Sequence, residues 1–521
     1  MVIQAAIVTA TQPRPGQVFP LLPPDTGLRF PYNGHQFRYT VCDNTIKSGT
    51  KWRPTEARLP DWRAVACGNA NRCLRRHIPG TLSHVGIYCH IFRRSFPAYP
   101  EASGAGRDRK GHLLTDSTDA PADKPFPMKR EPSRPFDPHP DYAQYRAQGG
   151  LPRVACPAGF DAYLVTDYRR AREVLANPTV SSIAASSFHT QRGHDVSKTL
   201  GPGNIIQLDG ADHVRIRELL TPEFTVRRMR ALREYIQKII NQHIDAMLAH
   251  GAGPVDFVAE FAVPIPALVI CEMLGVPPKD RDDFQRWGTA MMDTDLTRDQ
   301  QTGPGGEMLG YMARLCAIQM QQPDENTLIG RMIVRSGSSL TIEELTGVSV
   351  VLLVAGHETT ANMISLSTLA LLQDPEQLAQ LRDDPSIAES AVEEMLRYLS
   401  VVHFGLLRRA TEDFQLNGIT IKAGDWIVNA TSAANRDPEV FGPTADSIDL
   451  TRDAKTHLAF GFGVHQCLGQ QLARIELAEM FKILFQRIET LRLAVPAEEI
   501  PLKEASFVYG VKSMPVTWEI R

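Results

Sequence analysis

The run from Thr341 to about Leu372 constrains the fold more than any other stretch of the chain. Thr341-Ile342-Glu343-Glu344 is a capping-box start, in which the threonine hydroxyl and the acid three residues on satisfy each other's backbone N–H groups, and it predicts a helix beginning there. From Val348 through Val354 to Ile364 the sequence is apolar nearly all round, and a helix without a polar face belongs inside a protein with other elements packed on every side. A membrane span is excluded, because no window of the chain approaches the roughly 18 consecutive apolar residues that one needs. Inside this helix sits Ala355-Gly356-His357-Glu358-Thr359-Thr360, a polar interruption that costs stability unless its groups are satisfied or used. Its hydroxyls can bond back to the preceding turn and bend the helix. Alternatively, an acid adjacent to an alcohol, beside a glycine that opens the helix, can hold water and pass protons.

Close to the carboxyl end, Phe460-Gly461-Phe462-Gly463-Val464-His465-Gln466-Cys467-Leu468-Gly469 delivers one cysteine at the exit of a glycine-bearing loop. Leu468, Leu472, Ile475, Ala478 and Phe481 then recur at helical spacing, so Cys467 stands at a helix amino terminus. Unpaired N–H groups and the positive dipole end favour an anion there by about 0.3–1 kcal/mol, and such positions lower a thiol pKa. The glycines let the loop backbone come close to whatever the sulfur binds. A lone free cysteine is usually a small buried hydrophobe, and by itself Cys467 reads that way. The whole pattern, F-x-x-G-x-x-x-C-x-G, resembles the haem-binding signature of the cytochrome P450 family. That resemblance implies haem b with Cys467 as the proximal thiolate, which pushes electron density onto iron, and with Phe460, Gly463 and Gly469 shaping the loop around it. A C-x-x-C-H site for covalent haem is absent.

Further stretches follow in family order. Ala355-Gly356-His357-Glu358-Thr359-Thr360 resembles A/G-G-x-D/E-T-T/S, which implies that Thr359 and Glu358 support proton delivery for O–O cleavage and that Ala355 and Gly356 border the substrate. His213 and Arg217 are four residues apart, on one side of a helix. Spacing alone makes them a solvated cationic face; the likeness to H-x-x-x-R makes them partners of the haem propionates. Glu394 and Arg397 match the family's buried E-x-x-R ion pair, with Arg436 or Arg452 as its third member. Ile448 stands where a phenylalanine is common, a change of packing. Residues 401–413 read as extended chain, and by resemblance Arg408 binds a propionate, or Arg409 if the register is off by one. Val402, His403 and Phe404 then face the substrate, and His465 is another propionate contact. Phe507-Val508-Tyr509-Gly510 before Pro515-Val516-Thr517-Trp518 reads as a hairpin whose tip, with Phe507, reaches the substrate.

The resemblance covers about residues 130–521 and implies a mainly α-helical cytochrome P450 fold with a smaller β portion, a helical prism around a haem-thiolate centre. Residues 128–521 are assigned to that domain and residues 1–127 to a Pro/Gly-rich extension, in which residues 62–100 hold six arginines and no acid. The extension reads as a disordered basic segment, or as upstream sequence preceding a natural start at Met128. A zinc module from Cys42, Cys67, Cys73 and Cys89 with His77, His84 and His90 fits no standard ligand spacing. Residues 162–165 read as a strand, 167–176 as a helix, 179–203 as a long loop over the substrate side, 228–335 as successive helices, and 293–308 as a flexible connection between two of them.

A net charge of −3 over 521 residues argues against a general nucleic-acid binder, and the short apolar start, lacking a basic flank and soon broken by Pro13 and Pro15, does not read as a signal peptide. Eight thinly spread cysteines read as reduced thiols, and a cytoplasmic protein is expected. The resemblance implies a monooxygenase that inserts one atom of O₂ into a small organic substrate. No G-x-G-x-x-G follows a strand, so electrons are expected from a separate ferredoxin and its reductase. Two rivals share the fold: an enzyme using peroxide directly, against which the Glu358–Thr359 pair argues, and a non-catalytic haem-binding or sensor protein.

Overall fold

The computed structural model describes residues 124–156, 159–183, 202–292, 298–504 and 506–520, all within the second of two units, Met1–Gly104 and Ala105–Arg521. The helix Ile342–Leu372 is its axis. Thr341 and Glu344 close the capping box in both directions, and the chain leaves the helix at Gln373, where Asp374 caps the next one. The helices Pro264–Leu274, Arg281–Met292, Arg298–Gln321, Ala388–Leu399 and Gln470–Arg487 all pack on it. Ile364, Leu366, Leu369 and Leu371 are at most 1% exposed, and each such side chain contributes about 1.5–3 kcal/mol of burial as an upper estimate. Among the described residues no helix is long and apolar enough to cross a membrane.

The β portion lies to one side. Six strands, β1 (Lys124–Pro125), β2 (Arg153–Ala155), β3 (Asp161–Val165), β4 (Val180–Ser181), β6 (Leu406–Ala410) and β9 (Trp426–Asn429), form a sheet in the order β1-β2-β3-β9-β6-β4. Pairs β1–β2 and β3–β9 are parallel and the others antiparallel. Period-two alternation gives the sheet two faces: Ala162, Leu164, Leu407 and Val428 enter one small core, Val165, Ala410 and Ile427 another. Strands β7 (Phe414–Leu416) and β8 (Ile419–Ile421) make a hairpin, and β5 (Val255–Asp256), β10 (Arg492–Leu493) and β11 (Pro515–Thr517) make a third sheet.

Three expectations need correction. The fold extends upstream of Met128: β1 pairs with β2, Phe126 N–H donates to the Ala155 carbonyl at 2.8 Å, and its ring is 1% exposed. Most of residues 293–308 is helix, because Arg298–Gln321 runs through Pro304, and Met308, Met312 and Cys316, all at 0% exposure, anchor it in the core; packing overrides a weak local propensity. The carboxyl-terminal hairpin lies earlier than expected. Leu502 bridges Val511 and Lys503 N–H donates to the Gly510 carbonyl, whereas Pro515–Thr517 belongs to the third sheet. The cysteine and histidine cluster of residues 42–90 falls outside the described residues. So does most of the long loop; its end returns through Gly203, whose φ of +87° and close approach to the Glu344 carbonyl exclude a side chain.

Candidate active site

Cys467 follows a 3₁₀ turn at Gly463–His465 and precedes the helix Gln470–Arg487. Its N–H donates to the Phe460 carbonyl at 2.8 Å, and the N–H groups of Gly469 and Gln470 donate toward its sulfur. Burial nevertheless pushes the thiol pKa up, and those two donors with Arg217 and Arg474 recover only part of the shift. The sequence argument counted the helix terminus and not the depth of the site. Deep though it lies, Cys467 is only half-buried, and a Cβ added to Gly469 would meet nothing within 4 Å. Gly463 answers to a different constraint: at φ +75° its backbone passes so near the Leu175 carbonyl that a Cβ would stand 2.4 Å from that oxygen.

Cations gather around this loop. His213, 3% exposed, lies against His465 with ring centroids 4.2 Å apart and the planes tilted by 50°, and its Nε2 has no hydrogen-bond partner among the described residues. Arg217 donates to the Gln466 carbonyl at 2.7 Å. Arg408 is buried in β6 and donates from Nη1 to the Leu407 carbonyl, while Arg409 points outward over Trp426. Burial and neighbouring Arg408 and His213 hold the His465 pKa down at about 4, and burial holds Arg408 down at about 10. Asp209, which sequence reasoning passed over, is the one anion among them: it lies 3.3 Å from His465 Nε2 and accepts from Ser181 and Ser182. Two guanidiniums, with two imidazoles that burial and neighbouring charge keep neutral, surround a single carboxylate, which leaves the cluster short of negative charge. A haem dicarboxylate above a buried sulfur whose donors already face it would supply that charge, so the residues present fit the group.

The central helix opens toward one side only. Ala355 is exposed and Gly356 and Thr359 half-buried, although the turns on either side are closed, and the helix runs through Gly356 unbroken. Thr359 donates back to the Ala355 carbonyl at 2.9 Å, the local bond its sequence allowed. Glu358 turns away into the protein, where Oε1 accepts from Lys503 Nζ at 2.7 Å and from Asn362 Nδ2 at 2.8 Å. Burial pushes its pKa up, but Lys503 and its other partners outweigh this and leave it below the usual carboxylate value. Nothing local announces Lys503, which arrives on the hairpin 145 residues later. That hairpin also meets the segment before β6: Val402 bridges Val508, and His403 N–H donates to the Phe507 carbonyl at 3.0 Å. Phe404 lies 5.9 Å from Phe507, ring to ring, and burial holds the His403 pKa down at about 3.

Glu394 and Arg397, both at 0% exposure, form the buried pair with contacts of 2.7 and 2.8 Å. Arg452 is their third partner, 3.3 Å from Glu394, whereas Arg436 stacks over Tyr398 and reaches Asp137. Ile448 packs against the main core.

Residues 316–518 match the sequence profile of the cytochrome P450 family. Cytochrome P450-SU2 of Streptomyces griseolus is 42% identical over 410 residues, which are 78% of this chain and 100% of that protein. The chain is a cytochrome P450. Pentalenic acid synthase of Streptomyces avermitilis is 38% identical over 78% of this P450 and 100% of its own length. The crystal structure of CYP105P1 in complex with filipin I superposes with a TM-score of 0.72 at 41% identity, covering 77% of this chain and 100% of that one. This P450 is therefore of the soluble actinobacterial type, a monooxygenase oxidoreductase in a mainly α fold, within a family that works with haem.

Proposed function

We propose that Cys467 ligates the iron of haem b, that His213, Arg217, Arg408 and His465 hold its propionates, and that the enzyme oxidises a small, largely apolar organic substrate with electrons from a separate ferredoxin and reductase. The observation that carries this is the buried Cys467 thiol, met by the N–H groups of Gly469 and Gln470, with Arg217, Arg408, His465 and the unpartnered His213 Nε2 gathered beside it. When bound, haem b supplies the binding and activation of O₂. Thr359 offers its hydroxyl on the open side of the central helix and hands protons out toward the haem pocket. Glu358, held as a carboxylate by Lys503, is the acid–base group that resupplies it. Ala355, Gly356, Val402, Phe404 and Phe507 border the substrate with apolar surface, and His403 meets it as a neutral imidazole. Phe460, Gly463 and Gly469 keep the cysteine loop in shape. The catalytic domain comprises residues 128–521 with β1 laid against it, the residues further upstream forming an extension.

The test is the absorption spectrum of the reduced carbon monoxide adduct. The purified protein should show the far-red Soret band of thiolate ligation, and Cys467→Ser should lose it together with substrate oxidation. A histidine-type spectrum, or an unaltered spectrum with full turnover in the variant, refutes the assignment.

A further inference from the structure

Behind the cysteine loop lies a charge cluster that none of these roles uses. Glu393 takes Arg474 in a two-pronged contact, Nε to Oε1 at 2.5 Å and Nη2 to Oε2 at 3.1 Å. His457 Nε2 stands 3.1 Å from the same carboxylate. Its Nδ1 accepts the Ala459 N–H at 3.1 Å, so Nε2 is the ring nitrogen that faces Glu393, close to the carboxylate but without the alignment of a hydrogen bond. Burial would raise the Glu393 pKa, but His457 and Arg474 hold it at about 2, so the pair is charged.

Arg474 reaches Cys467 from two sides. Its guanidinium lies 4.6 Å from the centre of the Phe460 ring, and the Phe460 carbonyl accepts the Cys467 N–H. Its Nη1 donates to Gln470 Oε1 at 2.9 Å, and the Gln470 N–H is one of the donors on the sulfur. A buried ion pair adds little net stability over an apolar pair of the same size, so stability alone is a weak reason for one here.

We propose that Glu393 is a positioning residue for the cysteine ligand: it holds Arg474 over Phe460, and the balance of these two charges sets the electron-donating power of the sulfur and thereby the midpoint potential of the haem. The inference rests on ligation by Cys467. One-electron reduction adds negative charge to the site; Arg474 favours that state and Glu393 opposes it, and their partial burial leaves both less screened than on an open surface.

The experiment is a spectroelectrochemical titration of the haem-loaded protein. Glu393→Gln should raise the midpoint potential, Arg474→Gln should lower it, and the double variant should return toward the parent, while each retains the thiolate band of its carbon monoxide adduct. Shifts of equal sign in the two single variants, or unmoved potentials with lowered melting temperatures, overturn the proposal and leave a scaffold contact. If Glu393→Gln fails to load haem, Arg474→Lys and Arg474→Gln decide: the lysine should keep the potential nearer the parent, and equal potentials overturn the proposal, as does loss of haem from every variant. A parent protein without the thiolate band refutes the reading of Cys467 itself, a separate outcome.

Discussion

Replacing Lys503 with methionine tests how Glu358 is held. The lysine nitrogen lies 2.7 Å from Glu358 Oε1, with side-chain exposures of 22% and 5%. Removing one partner of a buried pair costs about 3–5 kcal/mol. Because the lysine is partly hydrated, the lower figure applies: about 3 kcal/mol at neutral pH, or about 5 °C in melting temperature for a domain of this size. The loss has a pH signature. In the parent, the folded Glu358 pKa lies below its unfolded value, so the pair's contribution is present above the unfolded pKa and fades as pH falls through the folded one. Without the cation, burial alone pushes that pKa up, and the folded variant favours the protonated acid. Its stability then falls as pH rises. The deficit of Lys503→Met relative to the parent should therefore be small in acid and grow through neutrality, as read by thermal unfolding across a pH series. Glu358→Gln added to Lys503→Met should recover most of it, since neither charge is then buried alone. A deficit equal at every pH, or a double variant no better than the single one, refutes the reasoning.

Gly463→Ala should sharply lower haem retention, read as the ratio of Soret to protein absorbance, because its Cβ would stand 2.4 Å from the Leu175 carbonyl oxygen. Arg397→Lys breaks the two-pronged contact with Glu394 and strands carbonyls of Asn435, Ala445 and Ser447; a loss of about 3–5 kcal/mol should appear as little soluble folded protein. Phe126→Ala should cost about 3–5 kcal/mol in chemical denaturation, and a chain beginning at Met128 should show a comparable deficit; an unchanged midpoint would remove β1 from the fold. Thr359→Ala should lower the product formed per O₂ consumed with the melting temperature nearly unchanged, and Thr359→Ser should restore it.

What the sequence made legible followed local rules. The capping box at Thr341, the apolar helix behind it and the helix after Cys467 all lie where spacing and end signals put them. The E-x-x-R spacing put Glu394 and Arg397 one turn apart, while their burial as a pair was expected from the family resemblance. The third member needed the fold: Arg436 and Arg452 both lie in the following segment, and only the folded path brings the latter to Glu394. Lys503, Asp209 and Arg474 carry no pattern of their own, since each acquires meaning from a partner far along the chain. The thiol pKa was misjudged for a related reason, because a helix terminus is visible in sequence and depth of burial is not. Residues 298–308 became helix against a proline and glycine signal once Met308, and Met312 and Cys316 beyond it, found the core.

The hairpin at residues 501–512 is fastened twice, to the strand-side segment through the Val402–Val508 bridge and to the central helix through Lys503 and the tight fit of Gly510 on Asn362. On the roles proposed for Phe507 and Glu358, a mutation that reshapes the tip to admit a bulkier molecule tugs on the acid as well. Selectivity and coupling efficiency become joint properties of one short segment, and broadening the first by substitution at Phe507 should be accompanied by drift in the second.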